Sequence, residues 1–380
     1  MLISYKTEIK PTIKQIIKIN QTIGVCRFVY NKYLEYNKKV YEIDKKFISA
    51  YDFSKYINND FIHNNLEYSW IKDVSSKARR QSILNAERAF KRFFNKKSKF
   101  PKFKKKNKSN VKMYFVKVSK LQLIKCERHR IKIDTLGWVR LKEKGYLPTN
   151  EIIKFGTISK RANRYFISIT IDKDIKPLDC NNEGIGIDLG IKNLVTCSNG
   201  LIKGNTNKTT KIKKLNKSLK RQQRDLSRKY LKNKKKGNTK NIIKKLDKIQ
   251  TLHCRISNIR SDYQNKIINE LVRTKPTYIT IEDLNVSGMM KNRHLSKSIQ
   301  NQSFNDFRNK LILKSKLIGF EVRIADRFYP SSKTCSNCGS IKQDLKLKDR
   351  IYKCNHCNLE LDRDYNASLN LKYAIKYKVA

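Results

Sequence analysis

Hydrophobic positions along this chain recur at two periods, and each change of period marks a boundary. From Leu2 to Lys10, Leu2, Ile3, Tyr5 and Ile9 stand among polar residues and predict one short strand. Pro11 suits the first turn of a helix, and Ile13, Ile16, Ile17 and Ile23 continue it as an apolar stripe. The stripe resumes at Phe28, Val29, Tyr30, Tyr33 and Leu34, and helical patterning extends with interruptions to about Phe94. From Val111 to about Ile171 the period falls to two, in Lys112–Val118, Ile131–Ile133, Gly137–Leu141 and Tyr165–Ile171. Short strands broken by Gly and Asn turns predict a small β-barrel or sandwich. Asp172 to Glu183, with Pro177, reads as a linker.

A second unit starts at Gly184. Ile185–Gly190 and Leu194–Cys197 predict a strand pair joined by a tight Ile191-Lys192-Asn193 turn. Lys208 to about Arg273 is a long basic helical region. Leu215, Leu219, Leu226 and Tyr230 mark one helix, and a Gly237-Asn238 turn follows. Leu246, Ile249, Leu252, Ile256, Ile259, Tyr263 and Ile267 mark a second helix at three-and-four spacing. The two stripes predict an antiparallel hairpin. Thr277–Glu282 reads as a buried strand, Phe304 to Leu317 as a helix and Glu321–Ala325 as a strand.

Charge changes the picture. Lys and Arg number 86 against 32 acids, a formal charge of +54, which solubility does not require and which calls for a polyanion, by default nucleic acid. Codon bias towards Lys would also favour Glu, and acids remain scarce. The outer face of the hairpin is almost wholly Lys and Arg, a polyanion face. Arg79, Arg80, Arg88, Lys91 and Arg92 cluster on and around one helix and suit phosphate contact. Lys96 to Lys108 interleaves aromatics with lysines, which fits a linker or backbone-plus-base contact with nucleic acid. At 380 residues the chain suits two or three domains. No stretch approaches the ~20 apolar residues of a membrane span, and Met1–Lys6 is no signal-peptide core. The expectation is a cytoplasmic, nucleoid-associated protein with no membrane partner.

Nine cysteines are present. Four form two CxxC pairs, Cys335/Cys338 and Cys354/Cys357, at the spacing of one tetrahedral structural zinc site, and the rest are scattered. With four thiols available, His356 reads as a surface residue, and the other histidines form no cluster. Three acids stand where apolar strands end or the last helix begins: Asp188, Glu282 and Asp364. Taken singly, each has an ordinary explanation: a turn cap, a lysine partner, a helix N-cap. A carboxylate inside Gly-Ile-Gly-Ile-Asp-Leu-Gly is nevertheless costly to bury alone. Neighbouring strands would bring Asp188 and Glu282 side by side, and a helix start would add Asp364. Three such acids in so basic a chain predict a phosphodiesterase with two Mg²⁺ or Mn²⁺ ions about 3.5–4 Å apart. Asp283 and Asp362 read as supporting groups or caps. No phosphate-binding glycine-rich loop is present.

Several motifs carry a resemblance. Gly186–Leu194, Ile281–Val286, Ser331–Gly339 and Asp362–Ala367, with Gly24–Asn31 near the start, resemble the TnpB (OrfB) proteins of insertion sequences, compact relatives of type V CRISPR effectors. The resemblance spans essentially the whole chain, with the middle of the N-terminal half matching only in pattern. It implies an α/β multidomain protein: a RuvC-like, ribonuclease H-like nuclease domain at 183–330 and 359–380 with a zinc-ribbon insert at 331–358. A helical recognition lobe with a helix-turn-helix-like opening would occupy 11–110, and a wedge-like β-barrel 1–10 and 111–178. It further implies an RNA-guided DNA endonuclease cutting beside a short transposon-adjacent motif. Asp188, Glu282 and Asp364 would be the catalytic, Mg²⁺-holding acids, and Cys335, Cys338, Cys354 and Cys357 the ligands of one structural Zn²⁺. Its partners would be a guide RNA from the transposon end, double-stranded target DNA and the transposase of the same element. The competing readings are a DNA-binding transposition accessory or repressor with structural acids, and an RNA-binding zinc-ribbon protein, which would have no need of three near-buried carboxylates.

Overall fold

The computed structural model describes residues 1–106, 109–116, 124–175, 177, 179–233, 239–346 and 349–380, and the chain divides into Met1–Asp174 and Ile175–Ala380. The expected Gly237-Asn238 turn, Lys108 and the strand residues Lys117 and Val118 lie outside the described residues. In the first unit the strands are β1 (Leu2–Lys10), β2 (Met113–Val116), β3 (Arg130–Ile133), β4 (Gly137–Leu141), β5 (Ile153–Arg161) and β6 (Arg164–Asp172). They form one antiparallel sheet in the order β2-β5-β6-β1-β4-β3. The N-terminal strand is thus interior, paired with β6 from Leu2–Asp172 to Ile9–Tyr165. Among the described residues no ladder joins β2 to β3, which stand as the sheet's two ends.

The helices of this unit are α1 (Ile13–Asp44), α2 (Ala50–Tyr56), α3 (Ile62–Asn64) and α4 (Ser76–Phe94). α1 is unbroken, and a capping box between Thr12 and Gln15 starts it. It serves two cores in turn. Ile16, Ile19 and Ile23 pack on the sheet, while Val25, Val29, Tyr30, Tyr33 and Leu34 join α2 and α4. Ile13 and Ile17, expected on the buried stripe, are exposed. At 100° per residue they fall well off the face set by Ile16, Ile19 and Ile23. Arg79 also departs from the expected phosphate cluster. It is buried, and its Nη1 donates to Asn58 Oδ1 at 2.7 Å, while Arg80, Arg88, Lys91 and Arg92 stay exposed.

The second unit contains β7 (Ile185–Asp188), β8 (Asn193–Cys197), β9 (Ile202–Gly204), β10 (Tyr278–Glu282), β11 (Glu321–Ala325), β12 (Ile351–Lys353), β13 (Glu360–Asp362) and β14 (Tyr377–Val379). Its helices are α5 (Thr210–Lys232), α6 (Lys240–Arg273), α7 (Val286–Met289), α8 (Ser296–Gln302), α9 (Phe304–Ile318) and α10 (Arg363–Lys372). Six strands make a mixed sheet ordered β14-β11-β10-β7-β8-β9, with β11, β10 and β7 mutually parallel and the rest antiparallel. The flanking β9 and β14 are too short and too polar to stand out in the pattern. α5 and α6 pair through Leu219, Ile249 and Ile256, as the stripes predict, although Tyr230 ends exposed. The far end of α6 turns onto the sheet with Ile267, Ile268 and Leu271.

Period two decides which residues face which helix. Ile185, Ile187, Ile279, Ile281 and Val322 share one core with α6 and α9. The intervening Gly186, Asp188, Thr280 and Glu282 therefore face the other side, where α10 lies. α10 comes so close to β7 that a Cβ on Gly186 would sit 2.0 Å from the Ser368 carbonyl oxygen and 2.3 Å from the Lys372 nitrogen. Both are backbone atoms and cannot swing aside, so only glycine fits. Gly186→Ala is expected to lower stability by about 1–3 kcal/mol, read by thermal unfolding. Gly204→Ala, where nothing lies within 4 Å, should leave the melting curve in place.

Candidate active site and metal centre

Asp188 ends β7 and Glu282 ends β10, and the parallel register pairs Ile187 with Ile281 directly beneath them. Two carboxylates thus emerge side by side from the C-terminal ends of neighbouring strands. α10 brings the third. Asp362 caps this helix, its Oδ1 accepting from Asp364 N at 2.9 Å and Tyr365 N at 3.1 Å, and leaves the Asp364 side chain free for other contacts. Arg363 Nη2 lies 3.2 Å from Asp364 Oδ1, and both side chains are 15% exposed.

The electrostatics mark the three acids as one group. Burial, then the charges of Glu282 and Asp364, push the Asp188 carboxyl well above the carboxylate range, against a partial pull from Arg363. Glu282 is also raised, chiefly by burial and then by Asp364, although a hydrogen bond from Ser331 Oγ at 2.6 Å opposes the shift. Asp283 behaves otherwise. Burial works against its charge, yet Arg327 at 2.6 Å and Arg308 at 2.9 Å outweigh it and hold the pKa low. It is an ion-paired residue beside the site. A cleft of about 140 Å³ opens between the ends of β10 and β11, lined by Glu282, Asp283, Asn285, Asp326, Arg327 and Tyr329.

The sulfur cluster is tighter. The Sγ atoms of Cys335, Cys338, Cys354 and Cys357 all lie within 4.8 Å of one another, and the Cys335–Cys357 and Cys338–Cys354 pairs are 3.6 Å apart. Sulfurs about 2.3 Å from a tetrahedral zinc would be roughly 3.8 Å apart, so both donor set and spacing fit Zn²⁺. Each CxxC is followed by a residue with left-handed backbone, Gly339 at φ 74° and Asn358 at φ 56°. Glycine and asparagine are the residues that tolerate this turn. Hydrogen bonds from Ser340 Oγ and from the Cys357 and His356 amides lower the Cys354 thiol to about 5. His356 itself is exposed. Among the described residues this is the one group of three or more His, Cys, Asp or Glu side chains close enough to hold a metal ion together. Hard oxygen donors fit Mg²⁺ or Mn²⁺ in kind.

What joins the two centres was absent from the motif reading. Asn366, fully buried in α10, donates from Nδ2 to Thr334 O at 2.7 Å and accepts from Ser336 N at 3.0 Å. One turn on, Asn370 Nδ2 donates to Ser331 O at 2.8 Å and Thr334 O at 2.7 Å. The loop entering the first knuckle is thereby fixed to α10, and its Ser331 hydroxyl meets Glu282. The sequence did carry a signal: two asparagines at i and i+4 on an amphipathic helix whose remaining inward positions are Ala, Ser and Leu. The sign of the Asp188 shift gives a prediction. A carboxyl raised in the folded state binds its proton more readily there than when unfolded, so stability falls as pH rises above the ordinary carboxylate range. Asp188→Asn should raise the melting temperature of the metal-free protein at pH 7, and the gain should vanish near pH 4. Thermal melts in chelator at the two pH values check it.

Three family models match parts of the chain. A family model described as "Probable transposase" (OrfB_IS605) matches residues 166–293, and a Cas12f1-like TNB domain matches 304–371. A helix-turn-helix model matches 1–46, which here is β1 followed by the single helix α1. A "Putative RNA-guided DNA endonuclease" of Streptomyces pristinaespiralis is 31% identical across 97% of this chain and 88% of its own. "Putative RNA-guided DNA endonuclease InsQ" of Escherichia coli (strain K12) is 30% identical across 97% and 91%. Among solved structures, the protein of a Cas12f1-sgRNA-target DNA complex aligns at a TM-score of 0.61 and 18% identity, over 96% of this chain and 83% of that one. That likeness is one of fold.

Proposed function

The chain belongs to the TnpB (OrfB) family, and on that premise we propose that it is an RNA-guided DNA endonuclease whose second unit is a RuvC-like nuclease with a zinc-ribbon insert. The observation that carries the reading is the convergence of Asp188, Glu282 and Asp364 on one face of β7, β10 and α10, with their charges felt by one another. Burial and neighbouring negative charge raise the Asp188 and Glu282 carboxyls, and a bound cation would offset that cost. Asp188, Glu282 and Asp364 would hold Mg²⁺ or Mn²⁺, which supplies an activated water and charge stabilisation at the leaving oxygen. Cys335, Cys338, Cys354 and Cys357 would hold Zn²⁺.

The chain's own groups do the positioning. Ser331 donates to one oxygen of Glu282 and so orients its carboxylate. Asp362 fixes the first turn of α10 and thereby Asp364. Asn366 and Asn370 tie that helix to the loop bearing Ser331 and Cys335, so the knuckle and the acids move together. Hydrolysis joins a water oxygen to phosphorus, breaks one P–O ester bond and leaves a proton on the departing oxygen. In this reading the guide RNA, paired with the target strand, supplies sequence recognition. The protein grips backbone and A-form shape with its lysine surplus. The exposed basic face of α5 and α6 and the exposed Arg80, Arg88, Lys91 and Arg92 of α4 are suited to that grip.

Asp188→Ala should abolish Mg²⁺-dependent cleavage while RNA binding stays unchanged, measured by plasmid cleavage and filter binding of the same preparation; undiminished cleavage would overturn the assignment. Cys354→Ser should remove close to one equivalent of zinc per chain by elemental analysis and reduce cleavage strongly, although no cysteine reaches the phosphate. Binding of RNA should weaken about 10³–10⁵-fold between 50 and 200 mM salt if ~6–10 phosphates are neutralised.

A further inference from the structure

The lysine-rich stretch after α4 has the composition of a self-repelling linker, yet its described residues 96–106 are held by specific contacts. Asn31 of α1 grips it as a neighbouring strand would: its Nδ2 donates to Lys104 O at 3.0 Å and its Oδ1 accepts from Lys104 N at 2.7 Å. Lys105 and Ser109 bond each other, Lys105 N donating to Ser109 Oγ at 2.9 Å and Ser109 N to Lys105 O at 3.0 Å. Phe100 anchors the start, packed edge-on against Phe90 and Phe93 with ring centroids 5.6 and 5.2 Å away, and Pro101 is buried. Lys104 Nζ lies 5.0 Å over the Tyr30 ring. The segment so fixed borders an open groove of about 570 Å³ lined by Pro101, Lys102, Phe103, Lys104, Lys105 and Ser109, and Phe103 is 55% exposed.

Two costs need a compensating ligand. Lysines held in a fixed turn repel one another more than in a free coil, and an aromatic ring is kept in water. We propose that this turn is a binding site for an unpaired nucleotide run, with a base stacked on Phe103 and the adjoining phosphates held by Lys102 and Lys105. Stacking reads no sequence, since every base offers a π-face, so the site holds a strand without selecting it. It acts on binding alone and stands whether or not the chain cuts DNA. Guide RNA and displaced DNA both offer this chemistry.

The test uses the full-length, zinc-loaded chain without added Mg²⁺ or Mn²⁺, with fifteen-residue oligo-U and oligo-dT, each carrying one central 2-aminopurine. The parent protein should bind and change the fluorophore's emission. Phe103→Ala should weaken binding about 5- to 150-fold and abolish the emission change without altering the salt slope. Lys102→Ala with Lys105→Ala should instead reduce the salt slope by about 1.4. Asn31→Ala should lose both effects, because it frees the turn. A stronger effect on oligo-U supports an RNA site and on oligo-dT a DNA site. Equal affinity and emission for parent and Phe103→Ala, with both proteins folded by circular dichroism, would overturn the proposal.

Discussion

Clustered negative charge is the constraint around which the second unit is built. Three carboxylates lie on one face of the sheet, and burial with mutual repulsion drives Asp188 and Glu282 towards protonation. Such an arrangement is unstable unless the backbone fixes it from several directions. β7 and β10 do so by parallel register, and α10 does so through the close approach allowed at Gly186. The four-cysteine knuckle adds a third restraint, because the loop leading into it carries Ser331 to Glu282 and is held by Asn366 and Asn370. The same contacts that hold the acids together also pack α10 on the sheet, so they offset the repulsion they impose.

The rest of the molecule answers with charge of the opposite sign. Little of the formal charge of +54 reaches the acids directly: Arg363 lies beside Asp364, while most basic residues sit on exposed helix faces. The exceptions are informative. Asp283 is neutralised by Arg308 and Arg327 and stays an ordinary carboxylate a single residue from Glu282. The contrast shows that ion pairing was available at this place in the fold and that Asp188 and Glu282 are without it among the bonds described. Asp283 is held by two arginines, whereas Glu282 meets the Ser331 hydroxyl.

The resemblance in the sequence extends to the level of family, where relatives at 30 and 31% identity cover nearly the whole chain. Secondary structure was legible where its period was long and unmixed. The α5–α6 hairpin, the β7–β8 pair and α9 all lie where the apolar stripes put them. It was misread where one residue had two plausible environments. Arg79 has the neighbours of a phosphate-binding arginine and lies buried against Asn58, and Ile13 and Ile17 look like core and face water. A stripe fixes which residues share a face, and the packing partner decides which face is covered.

By itself the sequence determined the chemical inventory: the four thiols at knuckle spacing, the three acids at the ends of apolar runs, and the cationic excess. These follow from local spacing and composition, which need no knowledge of the fold. Tertiary structure alone decided how the inventory is joined. Nothing in the spacing of Ser331, Asn366 and Asn370 says that they link the knuckle to Glu282, because hydrogen-bond partners 30 to 50 residues apart are set by how α10 lies on β7. The same holds for Asn31 and the lysine turn. A side-chain amide that completes a strand-like pair with a segment 73 residues away leaves no trace in composition or period, and only the fold shows that the turn is built.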